Sequence, residues 1–416
     1  MTATETIIEK KFSSYQVLVI ILLALTQFTV VLDFMVMSPL GDMLMKSMSL
    51  TTSQFGFAVS GYAFSAGISG LLTAGFADRF DRKKLLLFFY VGFITGTLFC
   101  GLATTYFMLI AARIITGLFG GVIGSISLAI VADLFPLHQR GRAMGFMQMG
   151  FGASQVLGIP ISLYLANHWG WQSPFIMIVG LASAIWLLTM LKLHPVTKHL
   201  HLQSEKTAIT HLWHTIRKRN YRTGFLLTAL LSLGGFMMMP WGSAFAVNNL
   251  HVTYGQLPIL FMVGGVASLI IMPLVGRLSD KMDKVKIFTI AAIWMMVIVV
   301  IYTNLTPVPF GIIILMNILM MIGIMSRMVP AMALVSALPK MQDRGAFMSI
   351  NSSLQQIAGG IAAGVGGMIV VQQTKTSPLQ HYNTMGYLIV IIIIANIIQV
   401  YRVSNLVKAQ KHADQL

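Results

Sequence analysis

The segment Gly75–Lys84 reads GFADRFDRKK and lies between two long apolar runs. A second charged turn, GRLSDKMDK at Gly276–Lys284, also lies between two apolar runs. Asp78 in the first turn and Asp280 in the second are offset by 202 residues. A short charged turn between apolar runs is the expected form of a loop joining two membrane helices.

Two further matches support the same register. Asp81 and Asp283 are also offset by 202 residues. The segment LFPLHQRG at Leu134–Gly141 is repeated as LPKMQDRG at Leu338–Gly345, with its proline and arginine offset by 203 and 204 residues. Independent matches at nearly one offset indicate that the chain is a duplicated unit of about 200 residues.

The composition indicates an integral membrane protein. The chain has 416 residues, of which 56% are hydrophobic and 10% charged, and its mean hydropathy is +0.80. Soluble domains carry roughly 25% charged residues. The first apolar run exceeds a signal-peptide core, so we expect no cleavage. Cys100 is the one cysteine, which excludes an intramolecular disulfide.

The net charge of +16 is distributed asymmetrically. If the N-terminus is cytoplasmic and the apolar segments alternate, cytoplasmic loops and tails hold 24 of the 28 Lys and Arg. The outside loops hold Lys46 and Lys375, and Arg113 and Arg327 lie inside apolar segments. This bias predicts both termini in the cytoplasm. It favours contact with the anionic lipid bilayer, and no nucleic-acid partner is needed to explain it.

Apolar runs of about 20 residues predict an all-α integral membrane fold with twelve transmembrane helices in two pseudo-symmetric six-helix bundles. We number these helices as spans 1 to 12. The predicted bounds are 16–38, 54–77, 85–104, 106–132, 143–166, 171–193, 222–248, 255–277, 285–303, 309–337, 345–371 and 384–403. The expected units are residues 1–192, a cytoplasmic linker at 193–221, and residues 222–416.

The linker carries five histidines, at positions 194, 199, 201, 211 and 214. A metal site is one interpretation, but their irregular spacing favours a solvated or interfacial linker, with Ile209–Arg219 as a short amphipathic helix. We therefore expect no metal and no cofactor.

The turn between spans 2 and 3 resembles the loop signature of the major facilitator superfamily, in which a glycine is followed by L-A-D-R-x-G-R-K. The matching positions are Asp78, Arg79, Arg82 and Lys83. Asp81 occupies the position of the usual second glycine, and Asp280 and Lys284 carry a weaker copy between spans 8 and 9.

Three other spans carry partial motifs of this superfamily. Span 4 contains Arg113-Ile-Ile-Thr-Gly117, similar to the arginine and glycine motif of proton-coupled members. Span 5 contains Gly158-Ile159-Pro160, where Ile159 splits the Gly-Pro pair of the antiporter motif. Span 1 contains Leu32-Asp33, like the drug:proton antiporter branch. Bacterial members of the drug and sugar efflux branch often look like arabinose-efflux permeases.

Ionisable side chains inside spans are costly, at least about 2.5–3.5 kcal/mol at the centre of a membrane helix, so the few present are candidates for function. Asp33 and Arg113 lie at similar depth in spans 1 and 4. One hypothesis makes Asp33 the proton-binding carboxylate, with Arg113 adjusting its proton affinity. The alternative is a permanently ionised pair that locks the two spans together.

Arg327 lies close to the middle of span 10, and the C-terminal spans contain no acid to pair with it. It could face the central cavity and contact an anionic or hydroxyl-rich substrate. Alternatively, it bonds carbonyl groups freed by the kink expected at Pro330, or it reaches Asp33 across the cavity.

Polar and soft apolar side chains in the spans predict a substrate cavity. The neutral amides Gln148 and Gln155 on span 5 and Asn351 and Gln355 on span 11 lie on helices related by the repeat. Trp241 follows three methionines in span 7 and could form an adaptable wall, although simple packing is the alternative.

The resemblance implies a cytoplasmic gate in the loop between spans 2 and 3. In that superfamily the loop acid meets the N-terminus of helix 11, and its basic residues bridge to an acid at the inner end of helix 4. Carried over, this assigns Asp78, Arg79, Arg82 and Asp133 to the gate, with Asp280 and Lys284 in its second copy. The alternative is a solvated turn that only enforces topology.

The resemblance as a whole implies a monomeric secondary transporter of the bacterial inner membrane, with no enzymatic activity. We expect proton-coupled efflux of a drug-like or sugar-like solute by alternating access, driven by the proton gradient. The alternative within the class is a symporter or uniporter for a sugar or an organic anion. A membrane enzyme or a non-transporting receptor is a remote alternative, since catalytic and phosphate-loop motifs are absent from the sequence.

Overall fold

Helices account for nearly all of this computed structural model, which describes residues 12–73, 77–197, 200, 208–340 and 343–413. A bilayer core offers no water to the backbone, so apolar runs become helices that satisfy their own backbone hydrogen bonds. In order the spans are Ser14–Val36, Thr52–Thr73, Arg82–Gly101, Tyr106–Leu134, Leu137–Trp169, Ser173–Lys192, Arg219–Asn248, Leu257–Lys281, Lys284–Thr303, Phe310–Ser336, Arg344–Ile369 and Tyr382–Ala413.

The predicted all-α membrane fold with two six-helix halves is confirmed. Within the described residues, eleven of the twelve spans are long and apolar enough to cross a bilayer. Span 11 is the exception because it carries the polar run Ser349–Gln356 and many glycines. Its lower hydropathy suits a helix that packs against other helices.

Three spans are interrupted. Span 1 ends at Val36, and after a turn containing Pro39 the chain continues as a helix at Gly41–Met48. The sequence predicted a loop where the structure has the Gly41–Met48 helix. The turn before this helix forms at Pro39, which has no backbone N–H to donate. Span 5 contains a π-helical turn at Ser154–Gly158, and span 7 narrows to a 3₁₀ turn at Met239–Trp241.

Equivalent aspartates begin spans 3 and 9. Asp81 Oδ1 accepts from the backbone N–H of Lys83 at 2.9 Å, and Asp283 Oδ1 accepts from that of Val285 at 2.7 Å. These bonds satisfy N–H groups that the first helical turn leaves free. The bond from Val285 is the main cause that lowers the pKa of Asp283. The repeated aspartate therefore has a local role as a helix cap in both halves.

Spans 2 and 11 pack closely and join the two halves. Thr52 Oγ1 donates to Val370 O at 2.6 Å, and Ser60 Oγ donates to Gly360 O at 2.7 Å. A Cβ on Gly56 would lie 2.8 Å from a span 11 carbonyl oxygen. Small residues thus let the two backbones approach, as small-residue spacing in membrane helices predicts.

Spans 2 and 4 show the same kind of contact inside the N-terminal half. A Cβ on Gly117 would lie 2.1 Å from Ser65 Oγ and 2.4 Å from Tyr62 O. A Cβ on Gly121 would lie 2.6 Å from Ala66. This packing fixes span 4 against span 2 and sets the position of Arg113 one turn before Gly117.

The linker contains a helix at Ala208–Arg217, close to the predicted amphipathic helix. Arg217 lies over the ring of the exposed Trp213, at 5.0 Å from its centroid. His194 stacks on Tyr15 at 4.6 Å between ring centroids. The other linker histidines at positions 199 and 201, and the side chain at 211, lie outside the described residues.

Candidate transport site

Asp33 and Arg113 form an ion pair between spans 1 and 4. Arg113 Nη1 donates to Asp33 Oδ2 at 2.8 Å, and both side chains are fully buried. Thr97 Oγ1 of span 3 donates to Asp33 Oδ1 at 3.1 Å. The two residues that the sequence singled out are therefore brought together, and three spans meet at one carboxylate.

The surroundings seal this pair in the observed conformation. The Arg113 guanidinium lies over the Tyr62 ring, 4.4 Å from its centroid. Arg113 Nε and Nη2 are buried without a hydrogen-bond partner among the described residues. These two nitrogens of Arg113 can donate to another acceptor when the spans move. Proton exchange at Asp33 requires such a movement, because its side chain has no exposed surface here.

The predicted amides form exposed polar faces on spans 5 and 11. The amides Gln148 and Gln355 are exposed, and so is the neighbouring hydroxyl residue Ser352 of span 11; Gln148 and Gln355 lie about 16 Å along their helices from the predicted cytoplasmic ends. A polar face turned to lipid at this depth is costly, which favours a water-accessible space between the halves as the surroundings of these side chains. Gln148 and Ser352 are offset by 204 residues, as the repeat requires.

The other two predicted amides are half-buried at the edges of these faces. Asn351 Oδ1 accepts from Thr228 Oγ1 of span 7 at 2.7 Å. Gln155 Nε2 lies 3.9 Å from Met35 Sδ of span 1. Sequence reasoning missed Gln27 on span 1, whose Oε1 is buried without a partner among the described residues. The feature that could have identified Gln27 in the sequence is a polar amide within the apolar run of span 1.

An aromatic contact joins the two halves on the side of the amide faces that is away from the predicted cytoplasmic ends of spans 5 and 11. Phe34 of span 1 and Phe236 of span 7 lie 5.8 Å apart between ring centroids and join the halves. A Cβ on Gly359, one turn beyond Gln355, would lie 3.2 Å from the Phe236 ring. The aromatic pair therefore closes the space between the halves one helical turn beyond Gln355.

Trp241 is fully buried and lies apart from the amide faces. Its ring packs at 5.4 Å on Phe55 of span 2, and a Cβ on Gly56 or Gly367 would contact its Cζ2 at 3.3 or 3.2 Å. In this conformation the Trp241 ring of span 7 packs against spans 2 and 11. It does not line the space beside the amide faces.

Arg327 is 5% exposed and lies inside the C-terminal half. Its guanidinium is 5.8 Å from the centroid of the Phe288 ring on span 9. No hydrogen bond or ion pair joins Arg327 to another residue that the structure describes, and its Nε is buried without a partner. The expected alternative of a bond to Asp33 is excluded here, because Arg113 and Thr97 occupy that carboxylate.

Most of the predicted gate residues lie at the ends of the helices that flank the two charged segments, and Arg79 lies in the short 3₁₀ turn Ala77–Arg79. Arg82 Nε lies 3.4 Å from Asp133 Oδ2, linking span 3 to span 4, and Arg79 is exposed. The side chain of Asp78 lies outside the described part of the structure. In the second turn, Asp280 is exposed and Lys284 Nζ donates to Ser279 O at 2.9 Å.

At the opposite end of the molecule, a polar cluster that the sequence did not predict joins the halves. We call Asp42, Lys46, Asn248 and Tyr254 the outer latch. Asp42 Oδ1 accepts from Asn248 Nδ2 at 2.5 Å, and its Oδ2 accepts from Lys46 Nζ at 2.8 Å and from the Tyr254 hydroxyl. Burial and the bond to Asp42 raise the pKa of Tyr254. The i,i+4 pair of Asp42 and Lys46 after Pro39 was its signal in the sequence.

A fold of two six-helix halves, closed at one end and with polar faces between them, defines a secondary transporter of the membrane. The family model of the Major Facilitator Superfamily matches residues 23–404. The chain belongs to this superfamily, and it is a transporter rather than an enzyme.

Several curated proteins are similar to this chain. The MFS-type transporter YbcL of Bacillus subtilis is 23% identical over 377 residues, which is 90% of this chain and 94% of YbcL. YceJ of the same organism is 26% identical over 263 residues, covering 62% of this chain and 66% of YceJ. A "Probable sugar efflux transporter" of Helicobacter pylori strain J99 is 25% identical over 253 residues, covering 61% of this chain and 63% of that protein.

Solved structures share the fold at low identity. A D-xylose-proton symporter superposes with a TM-score of 0.73 at 18% identity, covering 91% of this chain and 97% of that one. A bacterial homologue of the lysosomal transporter Spinster, inward-facing and unoccupied, gives 0.71 at 14% identity and covers 95% of this chain and 97% of that one. At these identities the likeness supports the fold alone.

Proposed function

We propose that this chain exports a small polar solute across the bacterial inner membrane in exchange for protons, by alternating access between its two halves. Both termini then lie in the cytoplasm, as the distribution of Lys and Arg predicts. The observed conformation, with the halves joined at the outer latch, is the inward-facing state of this cycle. The transporter works as a monomer and uses the proton gradient without a cofactor.

The observation that carries the proposal is the fully buried carboxylate of Asp33, held by Arg113 of span 4 and Thr97 of span 3. A proton on Asp33 weakens this ion pair, and re-forming the pair expels the proton. The pair re-forms as the transporter reaches the inward-facing state, and the proton leaves toward the cytoplasm before the surroundings seal the pair. The outward-facing state opens the pair and loads it from outside. Exchange in this order couples proton entry to export.

The amide faces support a polar, uncharged substrate such as a sugar. Gln148, Gln155, Asn351 and Gln355 offer both donors and acceptors, which suits the hydroxyl groups of a sugar. Gln27 adds a buried acceptor, and Arg327 adds a donor in the C-terminal half. The name "Probable sugar efflux transporter" of the Helicobacter pylori relative points in the same direction. A drug-like solute is the other class to include in a screen.

The gate proposal concerns the cytoplasmic turns. The Arg82–Asp133 contact is positioned to hold spans 3 and 4 as one unit at the inner end. We propose that Asp78 meets span 11 when the inner end closes, with Arg79 exposed beside it and with Asp280 and Lys284 in the equivalent turn of the second half.

The test is transport by the purified protein in proteoliposomes that contain a pH-sensitive dye. A panel of sugars, organic anions and cationic drugs is applied to wild type, to Asp33→Asn and to the control Asp283→Asn, which removes an exposed carboxylate but keeps a capping side chain. We expect proton movement opposite to substrate movement in wild type and in the control, and none in Asp33→Asn. Movement in the same direction indicates a symporter, and solute flux without protons indicates a uniporter.

A further inference from the structure

Three aromatic side chains connect the interface between the halves to the buried ion pair. Phe236 of span 7 contacts Phe34 of span 1 at 5.8 Å between ring centroids. Phe34 contacts Tyr62 of span 2 at 5.2 Å between ring centroids. The Arg113 guanidinium of span 4 lies over the other end of this series, 4.4 Å from the centroid of the Tyr62 ring. We call Phe236, Phe34 and Tyr62 the aromatic bridge.

One contact of the aromatic bridge crosses between the halves. Phe34 and Phe236 are half-buried, whereas Tyr62 is 2% exposed. Four residues after Phe34, the backbone carbonyl of Ser38 accepts from Ser243 Oγ of span 7 at 2.7 Å. The contact between Phe34 and Phe236 therefore belongs to the closed outer end, and it breaks when spans 1 and 7 part. The contacts of Tyr62 with Phe34 and with Arg113 stay within the N-terminal half.

The Tyr62 ring supports the buried cation. Arg113 Nη1 donates to Asp33 Oδ2 at 2.8 Å and to Asp33 O at 3.4 Å. In the part of the chain that the structure describes, Arg113 Nε and Nη2 have no hydrogen-bond partner. A cation over an aromatic face is held more strongly when the contact is desolvated. The position of Arg113 therefore depends on Tyr62 as well as on Asp33.

We propose that Tyr62 is a positioning residue, which holds Arg113 on Asp33 while Phe34 and Phe236 are in contact and releases it when they part. Once Phe236 has left, Phe34 can turn into the vacated space, and Tyr62 loses the ring that packs beside it. Arg113 then moves away from Asp33, and the carboxylate becomes accessible to water. The inference rests on the proposed proton exchange, because it names the side chains that tie the movement of the halves to the coupling site.

The native thiol of Cys100 reports the opening of the ion pair without a proton gradient. Its side chain is fully buried, one turn after Thr97, whose hydroxyl donates to Asp33. Cys100 Sγ lies 3.8 Å from Thr116 Oγ1 of span 4. Because the chain has no other cysteine, alkylation by N-ethylmaleimide at one fixed pH measures how often the reagent reaches this part of the N-terminal half.

Alkylation rates are compared on purified protein in nanodiscs. We expect Tyr62→Leu to label about three- to thirtyfold faster than wild type, as the loss of one buried cation–π contact implies. Tyr62→Phe keeps the ring face and should restore the wild-type rate. Phe135→Leu is the matched control, because it removes another buried ring of the same half, which packs on Phe12 at 5.7 Å. It should label as wild type does, and thermal unfolding identifies any variant that labels because it is unfolded.

A variant in the other half tests the bridge as a unit. Phe236→Leu should also label faster than wild type, although Phe236 does not touch the ion pair. The double variant Tyr62→Leu/Phe236→Leu should label no faster than Tyr62→Leu, because both changes act through the same contacts. Equal rates for wild type and Tyr62→Leu, or effects that multiply in the double variant, overturn the proposal.

Proton movement in proteoliposomes separates this proposal from the proposed function. Tyr62→Leu should let protons cross without substrate and move fewer protons per solute than wild type, and Tyr62→Phe should restore the ratio. A merely structural role for the ring would lower solute and proton movement together, and that result contradicts the inference. Wild-type protein that moves substrate without protons overturns the proposed function, whereas the alkylation rates still decide whether Tyr62 holds Arg113.

Discussion

Arg113 Nη1 donates to Asp33 Oδ2 over 2.8 Å and joins span 4 to span 1, with neither side chain exposed. The pair is desolvated on all sides, and Thr97 supplies one further donor to the carboxylate. In such a place each charge is tolerated because the other is present. The stability of the N-terminal half and the capacity to hold a proton therefore depend on the same contact.

Removing one partner of this pair is expected to destabilise the protein more than removing both charges. Arg113→Gln leaves the Asp33 carboxylate buried without its cation, at a cost on the order of 3–5 kcal/mol. The double variant Asp33→Asn/Arg113→Gln contains two neutral side chains that can bond each other and should recover most of that loss. Unfolding midpoints in detergent measure both. A double variant no more stable than Arg113→Gln would show that the pair does not couple spans 1 and 4.

The small-residue contact between spans 2 and 4 leads to a second prediction. Gly117→Ala places a Cβ 2.1 Å from Ser65 Oγ, so spans 2 and 4 must separate. We expect a loss of about 1–3 kcal/mol, typical of overpacking. Gly180→Ala in span 6 is the matched control, because its Cβ meets nothing within 4 Å. Equal unfolding midpoints for the two variants would contradict the close contact.

The features that the sequence predicted are those that recur in both halves and charged residues that are rare within apolar runs. Asp81 and Asp283 identified the repeat, and both proved to cap a helix. Asp33 and Arg113 were recognisable because charges are rare within apolar runs. Each of these signals is local, or it recurs at one offset. It could therefore be read without knowing which spans are neighbours.

The remaining features depend on contacts between distant segments. Asp42 lies in a segment expected to be a loop, and its partners Asn248 and Tyr254 follow it by 206 and 212 residues. Trp241 follows a methionine run that suggested a cavity wall. Its packing on Phe55 and on glycines of two other spans becomes visible only once the helices are assembled. Side-chain direction across such interfaces is set by helix rotation, which hydropathy does not specify.

The cap at Asp283 predicts a modest, pH-dependent contribution to stability. Because hydrogen bonds from the backbone lower the pKa of Asp283, the stabilisation is present above the pKa of the unfolded state, about 3.9, and is lost as the pH falls through the lower folded value. Asp283→Ala should cost about 0.5–2 kcal/mol near neutral pH, and Asp283→Asn much less. Unfolding midpoints at neutral and acid pH measure this. A loss in Asp283→Ala that stays the same at low pH would rule out the carboxylate as its source.

Arg327 provides the last prediction, because its guanidinium is buried over Phe288 with no acid partner among the described residues. An uncompensated buried charge destabilises a fold, and an apolar side chain of similar length is often neutral or stabilising in its place. Arg327→Met should therefore unfold at a higher temperature than wild type while binding substrate more weakly, since it loses the proposed donor. Arg327→Lys keeps the charge and serves as the control. If Arg327→Met unfolds at a lower temperature and transports normally, Arg327 stabilises the C-terminal half and does not contact substrate.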